Sequence, residues 1–547
     1  VDLNQINIPR DSVNVGIGVV PEAWSATYDA LQIGGGGSIF SHASGGGDAS
    51  MFIGQNVYND GAWNYINENE SSFIQFKNGT IQFATAASDV ADATISFTYP
   101  MKLDNNSRIS LSNNAGGAGN TVFGSLAGDD LESGGNYNTF FGANAGHENQ
   151  LGDSNIAIGE STMNASYIND TQDALTVNNI FIGNDAGGGT WVTAASHSNI
   201  GIGNATLGGA LNGATYNVAI GNSSMAGAAV TGDSNTGVGA STMYYNTSGH
   251  ENVGVGHYSG FGNATGENNT YVGFSAGKGV ANNNNSNNVG IGSNALLAVT
   301  TGSGNVVLGS SAGAAITTAA DNIAIGYQTM DAMQVGQDNI AIGRASMGNA
   351  NHEDADSNIV IGVYAGDAFG TNAVAGTVLI GREAGSEINH TDASNTVAVG
   401  RLALTALTSG AGNTAVGYTA GAALSTGERN TILGYTALDA GTTETDDNVA
   451  IGYNAMGGAI GTEAVNDCVA VGADALSGAL DSTDGADEAS GTVAIGKSAL
   501  AALTTGAGNV AMGYGALATN TTADDNIAIG YNALNTHNGA YNIAIGF

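Results

Sequence analysis

From residue 117 onward, apolar and polar positions recur in one short order instead of the long stripes of amphipathic helices. The segments "NIAIGYQTM" (322–330), "NIAIGRASM" (339–347), "NVAIGYNAM" (448–456) and "NIAIGYNAL" (526–534) show it. With the glycine of "AIG" as anchor, the pattern occurs 24 times from Gly124 to Gly546, most often 17 residues apart and at intervals reaching 24. Three positions before the anchor, all 24 copies carry Ile, Val or Thr, as at Ile323 and Thr414. The position just before it is always apolar, as at Ile325, Val416 and Phe141. β-Branched residues at alternate positions predict a short strand with both side chains on one face. The position between them is Ala or Gly in 16 of 24 copies, with Phe140, Phe181 and Tyr271 as bulky exceptions. A small residue there predicts close approach of another backbone.

The position four before the anchor is Asn in 20 copies, the exceptions being Thr377, Thr396, Cys468 and Thr492. Stacked Asn side chains can form an amide ladder; alternatively Asn only ends a turn. Three positions after the anchor stands Ala, Ser or Thr, and four after it only Gly, Leu or Met, as at Gly421, Leu534 and Met456. That restriction predicts an interior seam, filled by Leu or Met and opened by Gly. Linkers such as "TTGAGN" (504–509) close the unit. Each unit therefore reads as strand, turn, second short strand, turn. It is too short to bury an apolar face alone, and stacking on its neighbours makes a continuous core. The expectation is an all-β chain. Residues 116–547 form a parallel β-solenoid or β-roll rod of about 24 repeats, and residues 1–115 form a β-rich N-terminal capping or connector module.

The Asn–β-branched–Ala–Ile/Val–Gly blocks at 322–326, 339–343, 448–452 and 526–530 resemble the head repeats of trimeric autotransporter adhesins. They also resemble the repeated shafts of bacteriophage tail fibres. The likeness covers residues 117–547. It implies left-handed winding and a homotrimer, with the small strand residues or the Gly/Leu/Met seam near the threefold axis. The adhesin-head units are shorter than these, so extended turns are expected to protrude.

The first 115 residues hold all three prolines and two of the three tryptophans, Trp24 and Trp63. "NVGIG" (14–18) reads as a strand of the same kind. "NYINENESSFIQFKNGTIQFATAAS" (64–88) reads as a hairpin turning at Asn78-Gly79. "ATISFTYPMKLDNNSRISLSNN" (93–114) reads as a strand pair around "LDNNS". "VGIGVVPEAW" and "MKLDNNSRISL" look like modules of phage tail fibre proteins, which favours a phage over a bacterial origin. The last copy, "NIAIGF" (542–547), is incomplete and the chain begins at Val1; both suggest a portion of a longer chain.

Composition excludes several classes. The 86 glycines come with only 3 prolines, which rules out collagen. Ten Lys and Arg against 47 Asp and Glu give a net charge of -37, which repels nucleic acid and anionic membrane surfaces. No apolar stretch reaches the 18 residues of a membrane-spanning helix. The lone Cys468 forms no intrachain disulfide and reads as a buried thiol.

No catalytic, cofactor-binding or metal-binding residue stands out. His42, His147, His197, His250, His257, His352, His390 and His537 fall mostly in the variable turns. The acidic loops "NHEDADSN" (351–358) and "DSTDGADEAS" (481–490) read as solvated turns. Asp354, Asp356, Asp484 and Asp487 are at most surface calcium ligands, without the spacing of known calcium loops. "GGGG" (34–37) and "GGG" (187–189) lack the residues a phosphate loop needs. Trp191 reads as packed on its own loop, with sugar stacking as the sharper alternative.

The expectation is a non-enzymatic structural protein of a phage virion tail. It would be a tail fibre shaft that supports or mediates adhesion to a host-surface glycan or protein receptor, with itself as trimer partner. The alternatives are a bacterial surface adhesin head or stalk, a polysaccharide-degrading tailspike with paired carboxylates, and an ice-binding solenoid with a regular Thr face.

Overall fold

The structure of the protein, a computed structural model, describes residues 15–17, 22–24, 28–42, 50–103, 109–111, 119–132, 134–164, 176–189, 191, 196–227, 229–441, 445–461, 465–480 and 489–547. Among them there is no α-helix. Apart from one 3-10 turn at Thr391–Ala393, every regular element is a strand. The chain divides into two compact units, Val1–Thr215 and Tyr216–Phe547.

The second unit is built from one rung repeated. Nineteen three-residue strands, from Val218–Ile220 to Ile543–Ile545, form a parallel sheet in chain order. Neighbours pair like on like: Ile323 lies opposite Ile340, Ala324 opposite Ala341, and Ile325 opposite Ile342. The chain is thus a parallel β-solenoid, one strand to each turn of the coil. The expected second strand does not form. The rest of the rung is turn and bend, with only isolated bridges such as Ala320 to Gln337 and Ile460 to Leu480.

Backbone geometry gives the reason. The rung anchored at Gly326 has positive φ at Asp321 (55°), Gly326 (141°), Gln328 (54°) and Met330 (52°), and the other described rungs repeat this set. Left-handed residues two apart cannot lie in an extended strand. The conformation also explains a restriction the seam alone left open. The position four after the anchor is both buried and left-handed, as at Met330 and Leu500. β-Branched residues are strongly disfavoured there, and polar ones are disfavoured by burial, which leaves Leu, Met and Gly. Leu500→Ile keeps the volume, a change that ordinarily costs under about 1.5 kcal/mol. Here it is expected to cost about 2–3 kcal/mol because the branch must enter the left-handed region. Equilibrium urea unfolding monitored beside Leu500→Met, expected to be near neutral, checks this.

The interior of each coil is narrow, and the strand's middle position and the seam position share it with further buried apolar side chains such as Met333 and Leu503. The middle residue of every described strand in the second unit up to Ile527–Ile529 is buried, while its two neighbours point outward. Its small size therefore reflects what fills the coil, not an approaching backbone as expected. Ala324 accompanies Met330, and Ala494 accompanies Leu500, all fully buried. Where the strand residue is aromatic, the seam residue is Gly: Tyr271 is with Gly277, whose Cβ would lie 2.4 Å from the Tyr271 ring, whereas Ile432 and Leu438 are buried together in one rung. In the first unit Phe181 is likewise with Gly187, at 3.1 Å. Close packing demands this exchange of volume. The resulting core runs without a break from Tyr271 to Ala533.

The Asn column forms an amide ladder in addition to closing turns. Asn322 Nδ2 donates to Asn305 Oδ1 at 3.2 Å and to the Gly336 carbonyl at 3.0 Å. Its Oδ1 accepts from the Asn339 backbone N–H at 3.0 Å and from Asn339 Nδ2 at 3.1 Å. These side chains are buried, and the ladder satisfies backbone donors that the three-residue strand cannot. The exceptions fit unevenly. Thr377 Oγ1 donates to Asn358 Oδ1 at 2.8 Å. The buried Thr396 and Thr492 hydroxyls have no partner. Cys468 takes the Asn448 bond through its backbone N–H, at 2.9 Å.

The first unit carries five rungs of the same kind, with strands at Thr121–Phe123, Thr139–Phe141, Ile156–Ile158, Ile180–Ile182 and Ile200–Ile202. Before them come β1 (Val15–Ile17), β2 (Tyr28–Ile33), β3 (Gly37–His42), β4 (Ser50–Gln55), β5 (Tyr58–Asn59), β6 (Trp63–Asn64), β7 (Ser71–Lys77), β8 (Thr80–Ala86), β9 (Thr98–Leu103) and β10 (Ile109–Leu111). Eight of these form a sheet in the order β1-β2-β3-β4-β7-β8-β9-β10, antiparallel except for β1 with β2. The β7–β8 hairpin turns at Asn78 (φ 48°) and Gly79 (φ 76°), as Asn-Gly predicts. The β5–β6 hairpin covers one sheet face with Tyr58 and Trp63, closing a core with Trp24, Phe40, Phe52 and Phe73. The residues between β9 and β10 lie outside the described set.

Candidate interaction surface

What the coil leaves outside is a repeated pair of β-branched side chains. Ile323 and Ile325, Ile340 and Ile342, and Ile527 and Ile529 flank their buried alanines and remain partly exposed. Elsewhere in the second unit, Ile291 is 40% and Leu433 47% exposed. Because the strands pair in register, these residues form two apolar columns along the sheet. The sequence-level placement of the self-association seam was therefore inverted. The small residues and the Gly/Leu/Met positions are enclosed within a single coil, and the outward columns are what another copy could meet. Phe, Tyr and Ala share the middle position because it is interior, and its neighbours therefore lie outside.

A second outward row went unread. The residue after the anchor is Tyr at 327, 418, 435, 453, 514 and 531. Tyr418, Tyr435 and Tyr453 stack with ring centroids 5.0 and 5.7 Å apart. The Arg401 guanidinium lies 5.6 Å from the Tyr418 ring. Tyr514, Tyr531 and Phe547 form another stack. The recurrence of "GY" in one register was the available clue. Stacking along the sheet covers the ring faces and leaves ring edges and hydroxyls outward.

The N-terminal sheet also has an apolar face. Across β2, β3, β4, β7, β8 and β9, the residues Leu31, Ile39, Ile53, Ile74, Phe83 and Met101 form one in-register row. Ile53 is 42% exposed, and Met51 and Phe76 in the adjoining row are 46% and 38%.

The residues singled out for chemistry stay apart. His250 pairs with Glu267 at 2.6 Å, while His257 packs on Tyr258 and Phe274. His352 and His390 sit beside Asp354 and Asp392 of their own turns. Asp356 Oδ1 accepts from the Gln337 backbone N–H at 2.7 Å. Asp484 and Asp487 lie outside the described residues. Among the described residues, no three His, Cys, Asp or Glu gather where they could hold a metal ion. Cys468 Sγ donates to the Ala489 carbonyl at 3.0 Å, and burial pushes its pKa up to about 11. Trp191 is fully buried against Phe181, an interior residue rather than an exposed sugar platform. Gly34–Gly36 turn β2 into β3, and Gly187 makes room for Phe181.

Two half-buried carboxylates from rungs two apart, Asp331 and Asp367, approach each other across Gly348 of the rung between them. A Cβ on Gly348 would lie 2.7 Å from Asp367 Oδ1 and 3.5 Å from Asp331 Oδ1. Burial raises both pKa values, and the charges of Asp331 and Glu387 raise that of Asp367 further. Several Thr hydroxyls face the next coil: Thr300, Thr317 and Thr504 each donate to a carbonyl of the following rung, at 2.9, 3.0 and 2.7 Å. No described helix is long and apolar enough to cross a membrane. Comparison of the chain with protein-family models, with curated proteins and with solved structures found no match.

Proposed function

We infer that the protein is a non-enzymatic fibre component, a phage tail fibre shaft that supports or mediates attachment to a host cell surface, and that it works as a homotrimer. The observation that carries this reading is the outward pair of mostly β-branched side chains that flanks the strand's middle residue in each rung. The nineteen rungs of the second unit, stacked about 4.8 Å apart, give a stripe roughly 85 Å long and about 10 Å wide. That is on the order of 800 Å² of apolar surface per copy, more than the few hundred a monomer ordinarily exposes and near what one partner contributes to a stable interface. Two neighbours turned towards one axis would cover both columns, and the threefold number rests on the resemblance to trimeric fibres. The job is mechanical: in-register stacking and a shared apolar seam resist bending and proteolysis. A virion tail is the corresponding location, and a host glycan or protein the corresponding receptor. The Asn ladder and the interior Leu and Met would serve a bacterial adhesin equally, whereas the fibre-like N-terminal segments favour the phage.

Sedimentation equilibrium and native mass spectrometry are expected to give three copies at micromolar concentration. Replacing the outward Ile325, Ile342 and Ile529 together by Asp is expected to shift the population to monomer and keep the β-type circular dichroism. A wild-type protein that is monomeric at micromolar concentration refutes the assembly.

A further inference from the structure

One face of the N-terminal sheet changes chemistry along a single row. Across β2, β3, β4, β7, β8 and β9, the in-register residues are Ala30, Phe40, Phe52, Gln75, Gln82 and Lys102. The aromatic half is packed under Trp63, whose ring lies 5.3 Å from Phe52 and 5.4 Å from Phe73. Towards the amide half exposure rises, from Gln75 at 9% to the partly exposed Gln82 and the exposed Lys102. A groove of about 500 Å³ opens between the halves, lined by Trp63, Tyr28, Tyr99, Gln75, Gln82 and Lys77 among others. This face is the reverse of the apolar Ile39–Ile53–Ile74–Phe83 row, because successive strand residues point to opposite sides. Association through the apolar row would leave the groove accessible.

We propose that this groove binds a carbohydrate carrying a carboxylate, an acidic glycan. Three observations select that class. Trp63 and Tyr28 are partly buried and Tyr99 is 42% exposed, so rigid aromatic surface borders the opening, and the C–H faces of a pyranose pack on such rings. Gln75 is 9% exposed, with its Nε2 within 3.4 Å of Ser50 Oγ, and stands directly opposite Gln82. Paired amides both donate and accept, which matches adjacent sugar hydroxyls. The cations are concentrated here as well. The chain has only four lysines; Lys77 lines the groove, and Lys102 ends the amide row. In a protein of net charge -37, two ammonium groups on one face favour an anion locally. An apolar ligand would cover the partly exposed Gln82 amide without offering it a hydrogen bond, which is costly. A groove of this volume fits one to three sugar units. Unlike the buried Trp191, Trp63 combines accessible ring surface with neighbouring amides. The proposal does not rest on the coil being a fibre.

The test is a titration of the full chain with a uronic acid trisaccharide and with its carboxyl-reduced neutral counterpart, followed by isothermal calorimetry and tryptophan fluorescence. Trp24 and Trp191 are buried, so a fluorescence change reports Trp63 first. The acidic trisaccharide is expected to bind about tenfold more tightly than the neutral one. Gln82→Ala, on a strand flanked by intact neighbours, is expected to weaken both ligands by about tenfold. Lys77→Met is expected to abolish only the preference for the acid. Unchanged circular dichroism establishes that each variant folds, and Trp63→Phe supplies a second, conservative probe expected to retain weakened binding. No heat or fluorescence change with either sugar at millimolar concentration overturns the proposal. So does equal affinity of wild type and Gln82→Ala, and equal affinity for the two sugars overturns the acidic assignment.

Discussion

Asn322→Asp is expected to open the coil at one rung, at a cost of about 3–5 kcal/mol, the range for an uncompensated buried charge. The wild-type amide donates to Asn305 Oδ1 and to the Gly336 carbonyl. A carboxylate oxygen there faces two acceptors, and its charge is enclosed where Asn322 is fully buried. Asn322→Thr is expected to cost less, about 2 kcal/mol, because Thr377 already shows a hydroxyl donating to the preceding Asn Oδ1, while the bonds to Gly336 and from Asn339 are lost without a charge being buried. The unit is an array in which each rung touches its neighbours, so the damage should be local. Hydrogen exchange is expected to accelerate in the rungs around 305–339 and to stay slow near 500. Equal protection in the Asp and Thr variants would falsify the role given to the ladder.

Gly326→Ala is expected to be as damaging, at about 3 kcal/mol or more on the scale of severe single substitutions. A Cβ at this position would lie 2.6 Å from the Gly343 carbonyl oxygen, in backbone already at φ 141°. The obstacle is the backbone of the next rung, which cannot turn aside as a side chain can. The strands would have to separate, and with them the pairing of Ile323 with Ile340. Gly491→Ala serves as the control, since that glycine has nothing within 4 Å of its Cβ position. It is expected to cost about 1 kcal/mol, from its positive φ alone. Limited proteolysis mapped by mass spectrometry should find new cleavage beside residue 326 and none beside 491.

The sequence was most informative where one residue type recurs because one physical demand recurs. The anchor glycine, the column of Asn and the β-branched pair together dictate a strand of three residues in each rung and parallel stacking in register. The Asn78-Gly79 turn was legible for the same reason, as few residues accept two consecutive positive φ values. Alternation alone told less. It placed Ile323 and Ile325 on one face and Ala324 on the other, but it did not say which face was the inside.

That choice belongs to the tertiary structure, for a volumetric reason. The space beside the strand in so narrow a coil is limited, and in most rungs either the seam residue or the strand residue supplies the large side chain: Met330 beside Ala324, or Tyr271 beside Gly277. Once that space is full, the Ile and Val pairs have nowhere to go but outward, and a partly exposed apolar surface results. Cross-strand distances also lie outside what a linear pattern carries. The meeting of Asp331 with Asp367, the stacking of Tyr418 on Tyr435, and the row that sets Gln75 against Gln82 all join residues from different strands or coils. Local chemistry determined the shape of a rung; the order in which rungs and strands come together decided what each face offers.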